Sequence, residues 1–270
     1  IALELERIAV HTGDISALCT DVAYQLGAAV FGALRTPIIN FTQSWCGNRF
    51  GKGLIRVGGS RHSLNDALIQ KLRYLLDDFG RRFKEMADKS YSLLSVENRF
   101  DNIGIVTNKQ AILIGTVGMA ARSSGVKRDI RHSHPFAAFR DISYVPVMLE
   151  KGDVYARYYL RRFEIEESIN FINKVLDKEH LFLSNPAPPV PEMNLNLSPS
   201  SITVSMVEGW RGEICHCAVT DEQGKIIHYK IKDPSMHNWK ALELSLRDLE
   251  ISDFPINNKS YNLSYCGHDL

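Results

Sequence analysis

The stretch GDVYARYYLRRFEIEESINFINKVLDK, residues 152–178, predicts a long helix and with it a mainly helical fold. Aromatic and branched apolar residues recur along it, namely Tyr155, Tyr158, Tyr159, Phe163, Ile165, Ile169, Phe171 and Val175. A helix of this length gains most of its stability by packing an apolar face against other elements. We therefore expect it to be part of a helical bundle.

Further helices of this bundle are expected on the N-terminal side. Helical periodicity runs through residues 1–34, a second helix is expected over 37–46, and residues 63–88 carry one apolar stripe. Residues 54–59 predict a short strand or extended turn. Residues 103–148 are expected to be irregular, and an irregular stretch of this length in a domain is often functional.

The C-terminal part has a different pattern. Prolines crowd residues 185–191, and proline at this density stops both helices and central strands. Beyond them, 202–207 alternates like a strand, 213–220 and 226–231 predict a hairpin, and 236–248 return to helix. The predicted fold class is mainly α, a helical bundle with a small C-terminal antiparallel sheet (α+β). We expect a bundle core over 1–183, a proline-rich linker over 184–200, and a small α+β part over 201–270 packed on the bundle.

Composition excludes some classes of function. Lys plus Arg is 32 and Asp plus Glu is 31, so the formal charge is +1 and nothing points to nucleic acid as a partner. The sequence has no apolar run long enough to span a membrane, so a membrane role would have to go through a partner. The odd number of cysteines, 5, favours a reducing compartment. Residue 1 reads as helix interior without a cap, so we expect a segment of a longer protein.

One face of the first helix could carry proton chemistry. His11, Asp14, Leu18 and Asp21 are spaced at i, i+3, i+7 and i+10, which places them on the same side of a helix. Two carboxylates and an imidazole on one face can accept, donate or relay protons. The alternative is an ordinary solvated face, and the spacing alone does not decide between them.

A second candidate is the charged, glycine-containing segment 122–135. Arg122 and Arg131 could build a pocket for an anion or polar substrate, with Asp129 orienting one of them. The alternative is an exposed basic loop. Cys215 and Cys217 share one face of a predicted strand, but without a second Cys/His pair a metal site is weakly indicated, and structural cysteines are the default.

Taken together, several segments resemble the large subunit of nickel–iron hydrogenases and the homologous 49-kDa-type subunit of respiratory complex I. The resembling segments occur in the family's order over nearly the whole chain. They are Leu5-Glu6-Arg7-Ile8 continuing to Asp21, Ile55-Arg56-Val57-Gly58-Gly59, Gly115 to Gly118, Arg122-Ser123-Ser124-Gly125, 129–135, Gly152-Asp153-Val154-Tyr155-Ala156-Arg157, Glu208-Gly209-Trp210-Arg211-Gly212-Glu213, and 233–238.

The resemblance also shows a departure at the C-terminus. Hydrogenase large subunits hold nickel through two Cys-x-x-Cys pairs, because thiolates are the soft ligands that such a site needs. Here Cys266 matches the second cysteine of the C-terminal pair, and Leu263 stands where the first would be. Leucine has no donor atom. Cys266 is thus a residual match to a nickel ligand, no metal site is expected, and the quinone-reducing branch of the family is favoured.

The resemblance then implies roles for particular residues. Asp21 matches the carboxylate that lies beside the quinone head group in complex I, and His11 would be a nearby polar residue, so these two are the candidate catalytic residues. Arg122, Asp129 and Arg131 are the candidate substrate-binding residues, on the side that faces an iron–sulfur partner. No cofactor is expected to be bound by this chain itself. Quinone would be the substrate, and the iron–sulfur cluster would belong to a partner.

Three functions are compatible with these expectations. The first is a subunit of a complex I-like or hydrogenase-4-like membrane-associated oxidoreductase, which forms the quinone-type cavity and is not self-sufficient as an enzyme. The second is a non-catalytic structural subunit of an ion-translocating complex, and the third a true nickel–iron hydrogenase large subunit. The implied partners are an iron–sulfur small subunit, a 30-kDa-type accessory subunit and an integral membrane subunit. The implied location is peripheral, at the cytoplasmic face of the inner membrane.

Overall fold

Ten α-helices and five strands make up residues 1–178 and 196–269, which are the residues that the computed structural model describes. The helices are α1 (Ala2–Asp21), α2 (Gln25–Cys46), α3 (Asp66–Tyr91), α4 (Leu94–Phe100), α5 (Asn108–Leu113), α6 (Gly118–Arg122), α7 (Ile130–Ser133), α8 (Val154–Asp177), α9 (Pro234–Ser245) and α10 (Phe254–Tyr261). The strands are β1 (Ile55–Arg56), β2 (Gly59–Ser60), β3 (Ile202–Glu208), β4 (Glu213–Thr220) and β5 (Ile226–Lys232). The predicted fold class, mainly α with a small antiparallel sheet, is confirmed.

The four longest helices form the bundle. Helix α1 packs against α2 and α8, and α3 packs against α2 and α8. The apolar side chains that the periodicity places on one side of α1 are buried in this core, among them Leu5, Ile8, Ile15 and Leu18. Helix α8 begins where Asp153 caps it, because Asp153 Oδ1 accepts a hydrogen bond of 2.7 Å from the backbone N–H of Ala156.

The prediction for the second helix was wrong at its start. Helix α2 runs from Gln25 to Cys46 with Pro37 inside it, whereas the sequence pattern predicts a helix that begins at the proline. Proline removes one backbone hydrogen bond from a helix. Here that loss is outweighed by a buried stripe on both sides of Pro37, with Leu34 and Ile38 each 1 % exposed or less. The helix ends at Gly47, which adopts a left-handed conformation with φ 76°.

The stretch 103–148 is less irregular than expected. It contains the short helices α5, α6 and α7 and a 3₁₀ turn at Ala137–Arg140. Helix α5 starts with a capping box, in which Thr107 and Gln110 satisfy each other's backbone N–H groups. Gly115, Gly118 and Gly125 have positive φ angles and separate these short helices.

Strands β3, β4 and β5 form an antiparallel sheet in that order, as predicted. Helix α9 begins at Pro234, two residues before the predicted start, because Asp233 caps it. A small apolar cluster joins the two described parts of the chain through Val106, Ala111, Ala120, Ala241, Leu242, Tyr261 and Leu263. Most of the predicted linker, 184–195, lies outside the described residues. Among the described helices, none is both long and apolar enough to cross a membrane.

Candidate functional site

His11 and Asp21, the two candidate catalytic residues, lie in different surroundings. His11 is fully buried, and its Nε2 lies 2.7 Å from Glu164 Oε2 on α8. Asp21 is the last residue of α1 and is exposed. Ten residues of helix separate them by roughly 15 Å along the axis. Their catalytic roles stay predictions, and the structure does not bring the two side chains together.

Arg122, Asp129 and Arg131 do come together, inside the protein. Arg122 donates to Glu164 Oε1 from Nε at 3.0 Å and from Nη2 at 2.5 Å, and to Glu208 Oε1 from Nη1 at 2.8 Å. The same Nη1 lies 3.2 Å from Asp129 Oδ2. None of these side chains is more than 2 % exposed. One guanidinium therefore joins helix α8, strand β3 and the start of α7.

Arg131 forms a second centre beside the first. Its Nε and Nη2 donate to the two oxygens of Asp129 at 3.0 and 2.7 Å, and its Nη1 lies 3.1 Å from both oxygens of Glu4. The Tyr144 ring covers the guanidinium, 4.2 Å from its carbon to the ring centroid. Asp129 also caps α7 by accepting from the backbone N–H of Arg131. Helices α1 and α7 are thus tied together by charge-assisted bonds.

We use the name arginine–carboxylate cluster for these groups and their immediate partners. Its members are Glu4, Arg7, Arg122, Asp129, Arg131, Glu164 and Glu208. Arg7 completes it, since its Nη2 and Nη1 donate to the backbone carbonyls of Glu208 at 2.7 Å and of Gly209 at 3.1 Å. The cluster therefore also fixes the end of β3 and the turn that follows it.

Burial and neighbouring charges shift the pKa values of the buried groups in different directions. Burial would raise the pKa of Glu4, but Arg7 and Arg131 outweigh it and lower that pKa to about 2. Burial also opposes ionisation of Glu164, yet Arg122 and His11 hold its pKa well below the usual range. In contrast, burial raises the pKa of Glu208 despite Arg122, and nearby Asp129 adds to the rise. Burial lowers the pKa of His11, so its neutral form is favoured.

The positions of these residues bear on the predicted substrate-binding role. The alternative, an exposed basic loop at Arg122 and Arg131, is wrong, because both guanidiniums are at most 1 % exposed. Their charged atoms are occupied by carboxylates of the same chain. Substrate binding by Arg122, Asp129 and Arg131 stays a prediction. Because the three side chains are buried and paired with each other and with other groups of the chain, they could affect a substrate only by positioning the residues around it.

A second buried ion pair lies further along α1. Asp14 Oδ2 accepts from Arg161 Nε at 3.2 Å, and Asp14 Oδ1 accepts from Asn262 Nδ2 at 2.8 Å. Arg211, in the turn between β3 and β4, donates to the carbonyl of Asn262 at 2.6 Å. The pair thereby joins α1, α8, the β3–β4 turn and the C-terminal segment. The solvated-face alternative for His11 and Asp14 is wrong, because both are at most 3 % exposed.

The C-terminal segment does not offer the donors that nickel needs. Leu263, at a ligand position by resemblance, is 7 % exposed and packs in the apolar cluster of Val106 and Leu242. Cys266 is exposed, with its Sγ 3.4 Å from Ser264 Oγ. One thiol and one aliphatic side chain do not make a nickel site of the thiolate type. Across residues 1–178 and 196–269, no three His, Cys, Asp or Glu side chains are grouped to hold a metal ion.

A cavity of about 240 Å³ lies between α1, α2 and the loop before β1. Its walls are mostly apolar, with Leu5, Ala9, Ile39 and Leu54 among them, and Arg35 and Arg49 contribute polar groups. It opens on the N-terminal half of α1, away from Asp21 at the other end of that helix. The cavity is therefore separate from the predicted position of the quinone head group.

Several important residues of the site were missed by sequence reasoning. Glu4, Glu164 and Arg161 were not predicted, because a charged residue in a helix usually lies on its solvated face. Arg7 and Glu208 did stand in motifs of the resemblance, but nothing in the sequence showed that they meet Arg122. A charged residue within an otherwise buried stripe of α8 was the available clue.

Comparison with known proteins identifies the family of the chain. The family described as "Respiratory-chain NADH dehydrogenase, 49 Kd subunit" matches residues 22–187. Formate hydrogenlyase subunit 5 of Escherichia coli is 28% identical over 95% of this chain and 44% of its own length. The D-type subunit of the NADH-quinone oxidoreductase of Clostridium beijerinckii is 26% identical over 88% of this chain and 63% of its own length. The chain thus spans about half the length of the curated relatives that it matches.

A solved structure shares the fold. It is described as the membrane-bound sulfane sulfur reductase, an archaeal respiratory membrane complex, and it aligns with a TM-score of 0.89 at 23% identity. The alignment covers 99% of this chain and 73% of the other. Because the family match covers more than half of the sequence, this chain belongs to the family of the respiratory-chain NADH dehydrogenase 49 Kd subunit.

Proposed function

We propose that this chain is a subunit of a complex I-like or hydrogenase-4-like membrane-associated oxidoreductase, where it forms a quinone-type cavity beside an iron–sulfur small subunit. The observation that carries the quinone assignment is Leu263, a buried aliphatic residue where a hydrogenase would have a thiolate. The relatives support the class of complex, since their names include a hydrogenlyase and a quinone oxidoreductase.

In this proposal the chain supplies positioning and proton chemistry. Reduction of a quinone to a quinol takes two electrons, which would arrive from the partner's cluster, and two protons. Asp21 is exposed, so a substrate or a neighbouring subunit can reach it. Partial burial raises its pKa, while Lys259 opposes that rise. Asp21 would orient and recharge the proton donor of the quinone.

The buried residues would act indirectly. His11 is held by Glu164, and Arg122, Asp129 and Arg131 are held by the arginine–carboxylate cluster. We infer that they stiffen the wall of the protein that faces the iron–sulfur partner and so keep the cavity in shape. This internal engagement also favours the second candidate, a non-catalytic structural subunit of an ion-translocating complex.

The proposed assembly contains the iron–sulfur small subunit, a 30-kDa-type accessory subunit and an integral membrane subunit, with this chain peripheral at the cytoplasmic face. Affinity purification from native membranes, followed by a quinone reduction assay, tests it. We expect a redox-active complex with quinone reductase turnover. Recovery of the chain only as a free monomer would contradict the proposal, and an assembled complex without quinone turnover would favour the structural alternative.

Nickel content distinguishes a hydrogenase large subunit from the proposed quinone-reducing subunit. Because Leu263 supplies no ligand, we expect less than stoichiometric nickel in complex made with nickel and its maturation machinery available. Elemental analysis measures this directly. One nickel per chain would overturn the quinone assignment.

A further inference from the structure

The arginine–carboxylate cluster has one more acidic group than basic group. Its acids are Glu4, Asp129, Glu164 and Glu208, and its bases are Arg7, Arg122 and Arg131, so full ionisation would leave it at 3 − 4 = −1. None of the seven is more than 2 % exposed. A net charge at such depth is costly, and buried groups avoid it by keeping a proton.

Neighbouring charges do not remove this excess. On α1 and α8 the nearest further groups are Asp14 and Arg161, which pair at 3.2 Å, and Lys259 Nζ lies 3.7 Å from Asp14 but is 30% exposed, so water screens its charge. The amino group of Ile1 lies near Glu4, and burial lowers its pKa, which favours the neutral amine. Tyr144 borders the cluster, and burial raises its pKa far above the usual range, so it stays neutral. Arg128 lies at the surface and pairs with Glu213 at 3.8 Å. The compensating proton must therefore sit on His11 or on one of the four carboxylates.

His11 is poorly placed to hold it. Glu164 accepts two bonds from Arg122 and is therefore ionised, so the hydrogen on His11 Nε2 points to Glu164 Oε2 in either charge state of the imidazole. A second proton would go on Nδ1, which is buried and has no hydrogen-bond partner among the described residues. An unsatisfied buried N–H is costly, and Arg161 and Arg7 both repel the added charge.

Glu208 is the carboxylate with the least cationic support. Glu4 is shared by Arg7 and Arg131, Asp129 by Arg131 and Arg122, and Glu164 takes two bonds from Arg122. Glu208 has only the Nη1 group of Arg122, which Asp129 shares, and the neutral backbone N–H of Ile130 at 3.0 Å.

We propose that Glu208 is a buried proton-binding site, protonated near neutral pH, whose proton cancels the excess negative charge of the cluster. Burial and the proximity of Asp129 raise the pKa of Glu208, in agreement with this assignment. Release of the proton would leave an extra buried negative charge at the end of β3. This property belongs to the chain itself and holds whatever substrate the complex uses.

Infrared spectroscopy of the full chain near pH 7 tests the site. Ordinary carboxyl groups are ionised at that pH. The stretching band of a protonated carboxyl, identified by its shift in D₂O, therefore reports a carboxyl group with a raised pKa. We expect this band in the wild type, its loss as pH rises, and its absence from Glu208→Gln. Glu6→Gln is the control, because burial raises the pKa of Glu6 outside the cluster, and it should keep the band. No band in the wild type, or a band that persists in Glu208→Gln, would overturn the proposal.

Urea unfolding gives a second, independent measurement. Gln resembles a protonated Glu but cannot ionise in the unfolded chain, where the Glu208 carboxyl loses its proton above about pH 4.5. Glu208→Gln should therefore raise the urea midpoint near pH 7 and raise it further at alkaline pH. Glu4→Gln removes a carboxylate that is ionised in the folded protein, so it should lower the midpoint at both pH values. If Glu208→Gln lowered the urea midpoint as much as Glu4→Gln does, Glu208 would be ionised in the folded chain, which would contradict the proposal.

Discussion

Arg122 and Glu164 form a two-bond ion pair that is completely enclosed by the fold, with Nε and Nη2 of the arginine at 3.0 and 2.5 Å from the same carboxylate oxygen. The third nitrogen of Arg122 reaches Glu208 and Asp129. Removing one partner of a buried pair leaves the others uncompensated, which is typically more costly than the pair is stabilising. The behaviour of variants therefore depends on which partner is removed.

Arg122→Lys should destabilise the chain strongly. A lysine ammonium is a point charge and cannot place three nitrogens against Glu164, Glu208 and Asp129. We expect a loss of about 3 kcal/mol or more in the free energy of unfolding, measured by urea titration. Arg128→Lys is the matched control, because Arg128 is 46% exposed and its pair with Glu213 should contribute less than about 1 kcal/mol. Equal losses in the two variants would show that the geometry of Arg122 does not matter.

Glu4 should contribute stability that disappears in acid. Its folded pKa of about 2 lies below the ordinary 4.5, so its contribution is present above about pH 4.5 and is lost as pH falls towards 2. That difference corresponds to about 3 kcal/mol. Glu4→Gln should therefore be less stable than wild type at neutral pH, and the gap should close in acid. Glu6→Gln, on the same helix, is the control, since burial raises the pKa of Glu6 and no loss is expected at neutral pH. A pH-independent gap would contradict this account.

Gly118 should be far less tolerant of substitution than Gly115. Both have positive φ angles, 61° and 70°, so alanine costs about 1–2 kcal/mol of backbone strain at either position. A Cβ at Gly118 would also lie 2.2 Å from the carbonyl oxygen of Arg211, whereas a Cβ at Gly115 meets nothing within 4 Å. Gly118→Ala should therefore lose at least about 1–3 kcal/mol more than Gly115→Ala in urea unfolding. Similar losses would mean that the β3–β4 turn does not pack on α6 as described.

Regular elements were predictable because their signals are local. The apolar stripe of α1, the long helix α8 and the alternation of β3 each follow from neighbouring residues. The cluster was not predictable, since Glu4 and Arg131, or Arg122 and Glu208, meet only after the chain has folded. The start of α2 was predicted wrongly for a related reason. Burial of the turns on both sides of Pro37 outweighs the local preference of proline for a helix start. Leu263 was noticed through the family resemblance, and its burial could not be inferred from sequence.

Quinone reductase turnover of the whole complex carrying Asp21→Asn tests the proposed function most directly. Positioned acid–base groups typically contribute roughly 10²–10⁴-fold, so turnover should fall by about tenfold or more. Assembly should survive, because Asn keeps the shape of the side chain and Asp21 lies at the surface. Asp77→Asn, at an exposed position on α3, is the control and should be without effect. Turnover like that of the wild type in Asp21→Asn, or loss of assembly in that variant alone, would contradict the catalytic role of Asp21.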